Sequence, residues 1–400
     1  MHYDFNREVI RRGTDCVKWD EAEDGVLPLW VADMDFETAP CIQEAILRRA
    51  RHGVFGYNLI PESFYEAIIC WNSHRHGWTP RREWMLYTSG VVPAISAIIK
   101  GLCRPGDGVL FFTPAYNCFF SSVRNNDCRL VEFPLTWSPA AERYSIDFGA
   151  LEQTLDREQP RLLLLCNPHN PTGRVWTHEE LTRIATLCAA RGIVVLSDEI
   201  HCEFVDPALG RPYLPFAPIA DVAGCKWVIA NAPNKAFNIA GLQTAYIVTA
   251  DDDFRTRIDH AINVNEVCDI NCFSFVALQA AYTPEGEEWL DQLVAYIYEN
   301  YRYFRATLKA AFPDGDTKPQ LPIAPLEGTY LAWADVSAFV ASAPFNGSSE
   351  RLAAQLRSKQ RVWINGGEMY GQAGFLRVNL ATQRSRLEEA LRRIIEGMQG

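Results

Sequence analysis

NAPNKAFNIAGLQ (231–243) follows the apolar run KWVIA (226–230) with nothing between them. A short run unbroken by polar residues predicts a strand covered on both faces. The segment after it sets Lys235 among small residues and asparagines. Lysine usually faces solvent, and an exposed loop lysine is the plain structural reading. A lysine held at the end of a buried strand instead keeps its amine in a partly dry pocket, poised for Schiff-base chemistry.

The same texture recurs on both sides of this stretch. GVLFF (108–112), RLVEF (129–133), RLLLLC (161–166), IVVLS (193–197) and TAYIVT (244–249) are read as further strands covered on both faces. Helical patterns at 91–103, 116–125, 178–191 and 251–262 separate them, and Thr177 with Glu180 opens the third as a capping box. Strand and helix in turn predict an α/β protein: a three-layer α/β/α domain on a mainly parallel sheet, with ligands at the carboxyl ends of the strands. Past residue 272 comes one long helical pattern (284–312), then GTYLAWAD (328–335), a helix near 348–360, RVWIN (361–365), FLRVNLA (375–381) and a last helix. These predict a small α+β domain. The expected division is 1–50 as a segment packing on the small domain or a neighbouring subunit, 51–285 as the large domain, and 286–400 as the small one.

Composition excludes several classes. Of 400 residues 48% are hydrophobic, which places the chain among folded globules and away from disorder. With 38 Lys and Arg against 49 Asp and Glu, the formal charge of -11 argues against a duplex-binding protein, so no nucleic-acid partner is expected. The twelve cysteines are scattered, and the closest pair, Cys268 and Cys272, lacks a matching His or Cys pair. No metal site is expected from them, and thiols of this kind suit a reducing compartment. The N-terminal MHYDFNREVIRRGTD has no signal-peptide core, and no run reaches the ~18 apolar residues of a membrane span. A cytoplasmic protein is expected, without a membrane partner.

Three more strand ends carry unusual loops. NPHNPTGRVW (167–176) pairs Asn167-Pro168 with Asn170-Pro171, which forces a rigid, non-helical turn and fixes the Asn amides. DEIH (198–201) sets the Asp198 carboxylate at a strand end beside His201. YTSG (87–90) leads into VVPAISAIIKGLC, where Gly90 turns the chain and the first amides of a helix are free to cradle a phosphate. An anion seat, a deep carboxylate, a rigid amide and a lysine are the parts that a pyridoxal phosphate enzyme needs.

The chain resembles the fold type I pyridoxal phosphate enzymes of the class I/II aminotransferase superfamily, and within it the MalY/PatB group of cystathionine β-lyases, or C-S lyases. The resemblance runs almost the full length. It is carried by LPLWVADMDFETAP (27–40), HGVFGYNLIPESF (52–64), TSGVVPAI (88–95), FFTPAYNCF (111–119), CNPHNPTGRVW (166–176), SDEIHCEF (197–204), NKAFNIAGLQ (234–243) and GFLRVNLA (374–381). It implies that Lys235 holds the cofactor covalently and takes the substrate Cα proton, and that Asp198 pairs with the pyridine nitrogen. Asn170 and His201 are then placed by the ring oxygen, Tyr116 against the ring face, and the amides of Gly90, Val91 and Val92 at the phosphate. Tyr57 is implied to reach that phosphate from the second chain of a homodimer. Arg377 is implied to clamp the substrate carboxylate, with Asn170 and main chain near Ala32 closing the other side.

His169, His52 and Cys202 are read as structural, and Met34 and Phe36 as lining. Two departures bear on the phosphate: Ala232 stands where many relatives carry a serine, and Gln243 where ordinary aminotransferases carry an arginine. The activity expected is β-elimination from L-cystathionine or another cysteine S-conjugate. An amino-acid aminotransferase and a cofactor-binding regulator are the alternatives.

Overall fold

The computed structural model describes residues 2–264, 266, 269–313 and 321–399; Cys268 lies outside the described residues. Its centre is a seven-stranded sheet in the order Met85–Thr88, Ala245–Val248, Trp227–Asn231, Val194–Asp198, Leu162–Cys166, Gly108–Thr113, Arg129–Pro134. Neighbours from Trp227–Asn231 to Arg129–Pro134 pair in parallel, and Ala245–Val248 alone runs against both its neighbours. The apolar runs become these strands because helices cover both faces: Gly108–Thr113, Leu162–Cys166, Val194–Asp198, Trp227–Asn231 and Ala245–Val248 are buried at every position.

One strand departs from the expectation. Arg129–Pro134 is the sheet edge, where Val131 and Phe133 point inward while Arg129 and Glu132 are exposed, so it is not covered on both faces. The hairpin Thr136–Ser138 with Arg143–Ser145 that follows has too little apolar content to show in a periodicity reading.

The helix His178–Ala189 begins at the capping box, with Thr177 Oγ1 accepting from the Glu180 amide at 3.2 Å and Glu180 returning the bond at 2.9 Å. Arg174 grips both Glu180 oxygens and the Tyr144 carbonyl, so the turn holding Asn170 is anchored to the helix after it. Helix Pro284–Ala311 buries Trp289, Leu293, Ile297, Tyr301, Phe304 and Leu308 on one stripe. A second sheet, in the order Leu331–Asp335, Phe375–Asn379, Asn365–Gly366, is antiparallel throughout.

The N-terminal segment joins the two sheets. Leu27–Pro28 pairs with Val362–Trp363, and Asn379 Nδ2 donates to the Val31 and Asp33 carbonyls. Asn238 Nδ2, three residues past Lys235, donates to the Met34 and Phe36 carbonyls. Residues 31–36 are thereby sewn across the mouth of the strand ends. Among the described residues no helix is long and apolar enough to cross a membrane.

Candidate active site

The carboxyl ends of five strands surround a cavity of about 190 Å³. It lies where the strand order reverses, since the chain leaves Gly108–Thr113 toward one edge and returns through Leu162–Cys166 on the other side. Its lining includes Ala32, Gly90, Val91, Val92, Tyr116, Asn170, Asp198, His201 and Lys235. Arg377 adjoins it, donating to Asn170 Oδ1 at 3.3 Å and to the Trp30 carbonyl at 2.9 Å, with its guanidinium 4.6 Å over the Tyr370 ring. Tyr57 is the one candidate not brought in: it is 97% exposed in this chain. A wider groove of about 760 Å³ beside helix Pro40–His52 contains none of these groups.

Electrostatics distinguish the members. Burial lifts the Asp198 carboxyl to about 7, and its one hydrogen bond, from the Ile200 amide at 3.2 Å, lowers it only in part. Burial lowers the Lys235 amine to about 8, while it donates to the Ala32 carbonyl at 2.5 Å. His201 is pushed down to about 3 by burial and by the Lys235 and Arg377 charges, so its imidazole is neutral at pH 7. The Tyr116 hydroxyl is raised, again mainly by burial.

Three buried atoms here have no protein partner: His201 Nδ1, Asn234 Oδ1 and Arg377 Nε. Buried polar atoms are rarely left so, and a group of them around one cavity marks ligand space. Helix Val91–Leu102 likewise starts at Gly90 without a side-chain cap, leaving its first amides for an anion.

Motif reading missed several neighbours. Ser89 and Asn234 line the cavity, and a hydroxyl just before the turn glycine was the available signal for Ser89. Tyr330, whose hydroxyl donates to the Ala32 carbonyl at 3.1 Å, is invisible locally because it arrives from the turn just before strand Leu331–Asp335 of the second sheet. Gln243 falls outside the lining; its carbonyl accepts from the Tyr87 hydroxyl. His169 is buried against Thr172 and Trp176, consistent with a structural role. Among the described residues, His76, Cys202 and Glu203 are the one grouping with metal-ligand atoms close together, and Trp71 and Arg75 already occupy the Glu203 carboxylate.

A lysine and a buried carboxylate lining one cavity at the switch point of a mainly parallel sheet fit a pyridoxal phosphate-dependent protein of the aminotransferase fold. The model of the family "aminotransferase class I and II" matches residues 24–394, and the chain belongs to that family. The chain is 36% identical to cystathionine beta-lyase PatB of Bacillus subtilis, over 98% of each chain. Cystalysin from Treponema denticola, solved with pyridoxal 5'-phosphate, superposes with a TM-score of 0.91 at 29% identity, covering 100% of this chain and 99% of that one. The pyridoxal phosphate-bound C-S lyase of Staphylococcus hominis gives 0.89 at 29%, over 99% of each.

Pyridoxal 5'-phosphate is the cofactor, and the residues present fit it. The uncapped helix start suits its phosphate, the protonatable Asp198 its ring nitrogen, and the orphaned His201 and Asn234 atoms its remaining polar groups. Ala232 is buried and offers the phosphate no hydroxyl; Ser89 is the hydroxyl nearest in sequence to the helix start.

Proposed function

We propose that this protein is a pyridoxal phosphate-dependent carbon–sulfur β-lyase acting on L-cystathionine or related L-cysteine S-conjugates. The observation that carries the reading is the full-length similarity to cystathionine beta-lyase PatB, with Lys235, Asp198, Asn170 and Arg377 gathered at one cavity. The cofactor, when bound, supplies an electron sink for the carbanion at substrate Cα.

The chain's own residues do the rest. Arg377 holds the substrate carboxylate through its planar fork, with Asn170 and main chain near Ala32 beside it. Asp198, whose carboxyl is almost wholly buried, would hold the ring nitrogen through a charged hydrogen bond. Gly90, Val91 and Val92 would offer amides to the phosphate, Tyr116 would cover the ring face and His201 would stand by the ring oxygen. An amine near 8 changes protonation state close to neutral pH, so Lys235 is suited to take the Cα proton and give it to the departing sulfur. The Cβ–S bond then breaks with its electron pair on sulfur, and the thiolate departs as homocysteine or the corresponding thiol. The remaining enamine hydrolyses to pyruvate and ammonia.

Two chains pair in the same reading, with Tyr57 of each reaching the other's phosphate. The support is that Val54, Phe55, Tyr57 and Leu59 form an exposed apolar stretch that a monomer has no reason to keep. The chain divides near residues 50 and 285, and buried free thiols such as Cys166, Cys188 and Cys202 suit the cytoplasm.

Incubation with cystathionine should release pyruvate and free thiol in equal amounts. Lys235→Ala should cut the rate by at least about 10³-fold. Oxo-acid-dependent amination without pyruvate would establish the aminotransferase alternative instead.

A further inference from the structure

The loop NAPNKAFN (231–238) carries three asparagines, and the fold uses two of them. Asn231 Oδ1 accepts from the Ala232 amide at 2.7 Å, and its Nδ2 donates to Cys202 Sγ at 3.4 Å. Asn238 Nδ2 donates to the Met34 and Phe36 carbonyls, and its Oδ1 accepts from the Met34 amide at 3.2 Å. Asn234 is the exception. It is 7% exposed and lines the cavity, yet among the described residues neither end of its carboxamide has a protein partner. A buried amide in that state costs stability unless a ligand completes it.

Its position identifies that ligand group. Thr88 pairs with Ala245, and Asn231 pairs with Tyr246 one residue further along the same middle strand. The chain therefore leaves Met85–Thr88 and Trp227–Asn231 at the same end of the sheet, two strand spacings or about 10 Å apart. One exit leads to Ser89, Gly90 and the uncapped helix start, the other to Asn234. Asn170 and Arg377 lie on the far side of Val194–Asp198. Asn234 thus shares the end of the cavity that the helix amides make ready for an anion. A carboxamide exchanges its donor and acceptor ends by a half-turn about χ2, and no partner here opposes the turn that aims Nδ2 at that anion.

We propose that Asn234 donates from Nδ2 to the phosphate of pyridoxal 5'-phosphate, supplying the side-chain donor that buried Ala232 lacks. An N–H facing an anion makes a charge-assisted bond, stronger than one between neutral groups. The role concerns cofactor retention, so it holds equally for a lyase and for an aminotransferase.

The test compares two ligands of the cofactor-stripped full-length chain: pyridoxal 5'-phosphate, and pyridoxal, which has no phosphate. Dissociation constants are read from the visible absorbance of the bound ligand. Asn234→Ala should weaken pyridoxal phosphate about 10-fold. Asn234→Asp keeps the size, loses the N–H and adds a like charge, and should weaken it about 100-fold or more. Both variants should bind pyridoxal as the wild type does. Urea unfolding of the stripped Asn234→Ala chain should show no loss of stability, because only an unpaired amide is removed. Equal losses for the two ligands, unchanged affinity for pyridoxal phosphate, an Asn234→Asp that binds it no worse than Asn234→Ala, or a destabilised Asn234→Ala would each overturn the proposal. If Asn234→Asp does not fold, the ratio of the two Asn234→Ala losses decides.

Discussion

Asp35 and Asp198 are both sealed from solvent, at 0% and 3% exposure, yet they are opposites. Asp35 sits in the N-terminal segment with Lys18 Nζ at 2.8 Å, Trp19 Nε1 at 2.8 Å and Arg11 Nη1 at 3.2 Å. Burial alone would raise its carboxyl, but the Lys18 charge and these hydrogen bonds win, and it stays below the usual carboxylate range. Asp198, at the end of its strand, has the Ile200 amide and no ion pair, and burial wins. The fold completes one carboxylate and leaves the other incomplete. Buried polar groups that folding leaves unpaired at a cavity are where a ligand binds, and the contrast separates architecture from chemistry without any motif.

Asp35→Asn attacks the completed region. It leaves Lys18 charged, fully buried and without its counter-ion, and breaking such a pair by removing one partner costs about 3 kcal/mol or more. Urea unfolding of the loaded protein should show that loss directly. An unchanged midpoint would mean that burial does not distinguish the two sites as argued. Asp198→Asn should do the reverse. It removes a charged hydrogen bond to the cofactor, so affinity for pyridoxal phosphate, measured by equilibrium dialysis, should fall about 10- to 100-fold. The cofactor-stripped chain should lose no stability at pH 8.

The sequence made much of the second region legible and little of the first. Lys235, Asp198, Asn170 and Gly90 each follow a buried strand at a recognisable turn, so strand pattern and motif spacing converge on the same loops. The edge position of Arg129–Pro134 was not legible, because a five-residue apolar run does not say how many neighbours it has. Tyr330 was not legible either. Its place at the site depends on residues 31–36 crossing to the Lys235 loop through Asn238 and Asn379, contacts more than 200 and 300 residues apart in sequence. Lys18 and Asp35 lie close in sequence, but nothing local says that both are buried.

The most specific effect is that of pH, which acts on the two carboxylates with opposite sign. In the unfolded chain each titrates near its ordinary value of 3.8; in the cofactor-stripped folded chain Asp198 titrates near 7. Between those values the folded state binds the Asp198 proton and the unfolded state does not. Stability from this group therefore falls as pH rises from about 4 to about 7, and is level above that. Asp35 is held below its ordinary value, so its contribution is present throughout that range and is lost only as pH falls below about 4. The stability difference between Asp198→Asn and wild type, both without cofactor, should accordingly shrink on going from pH 8 to pH 5. The difference between Asp35→Asn and wild type should hold constant over the same interval. Saturating pyridoxal phosphate should abolish the Asp198 trend, since a ring nitrogen paired with the carboxylate gives that region the partner that folding alone provides for Asp35.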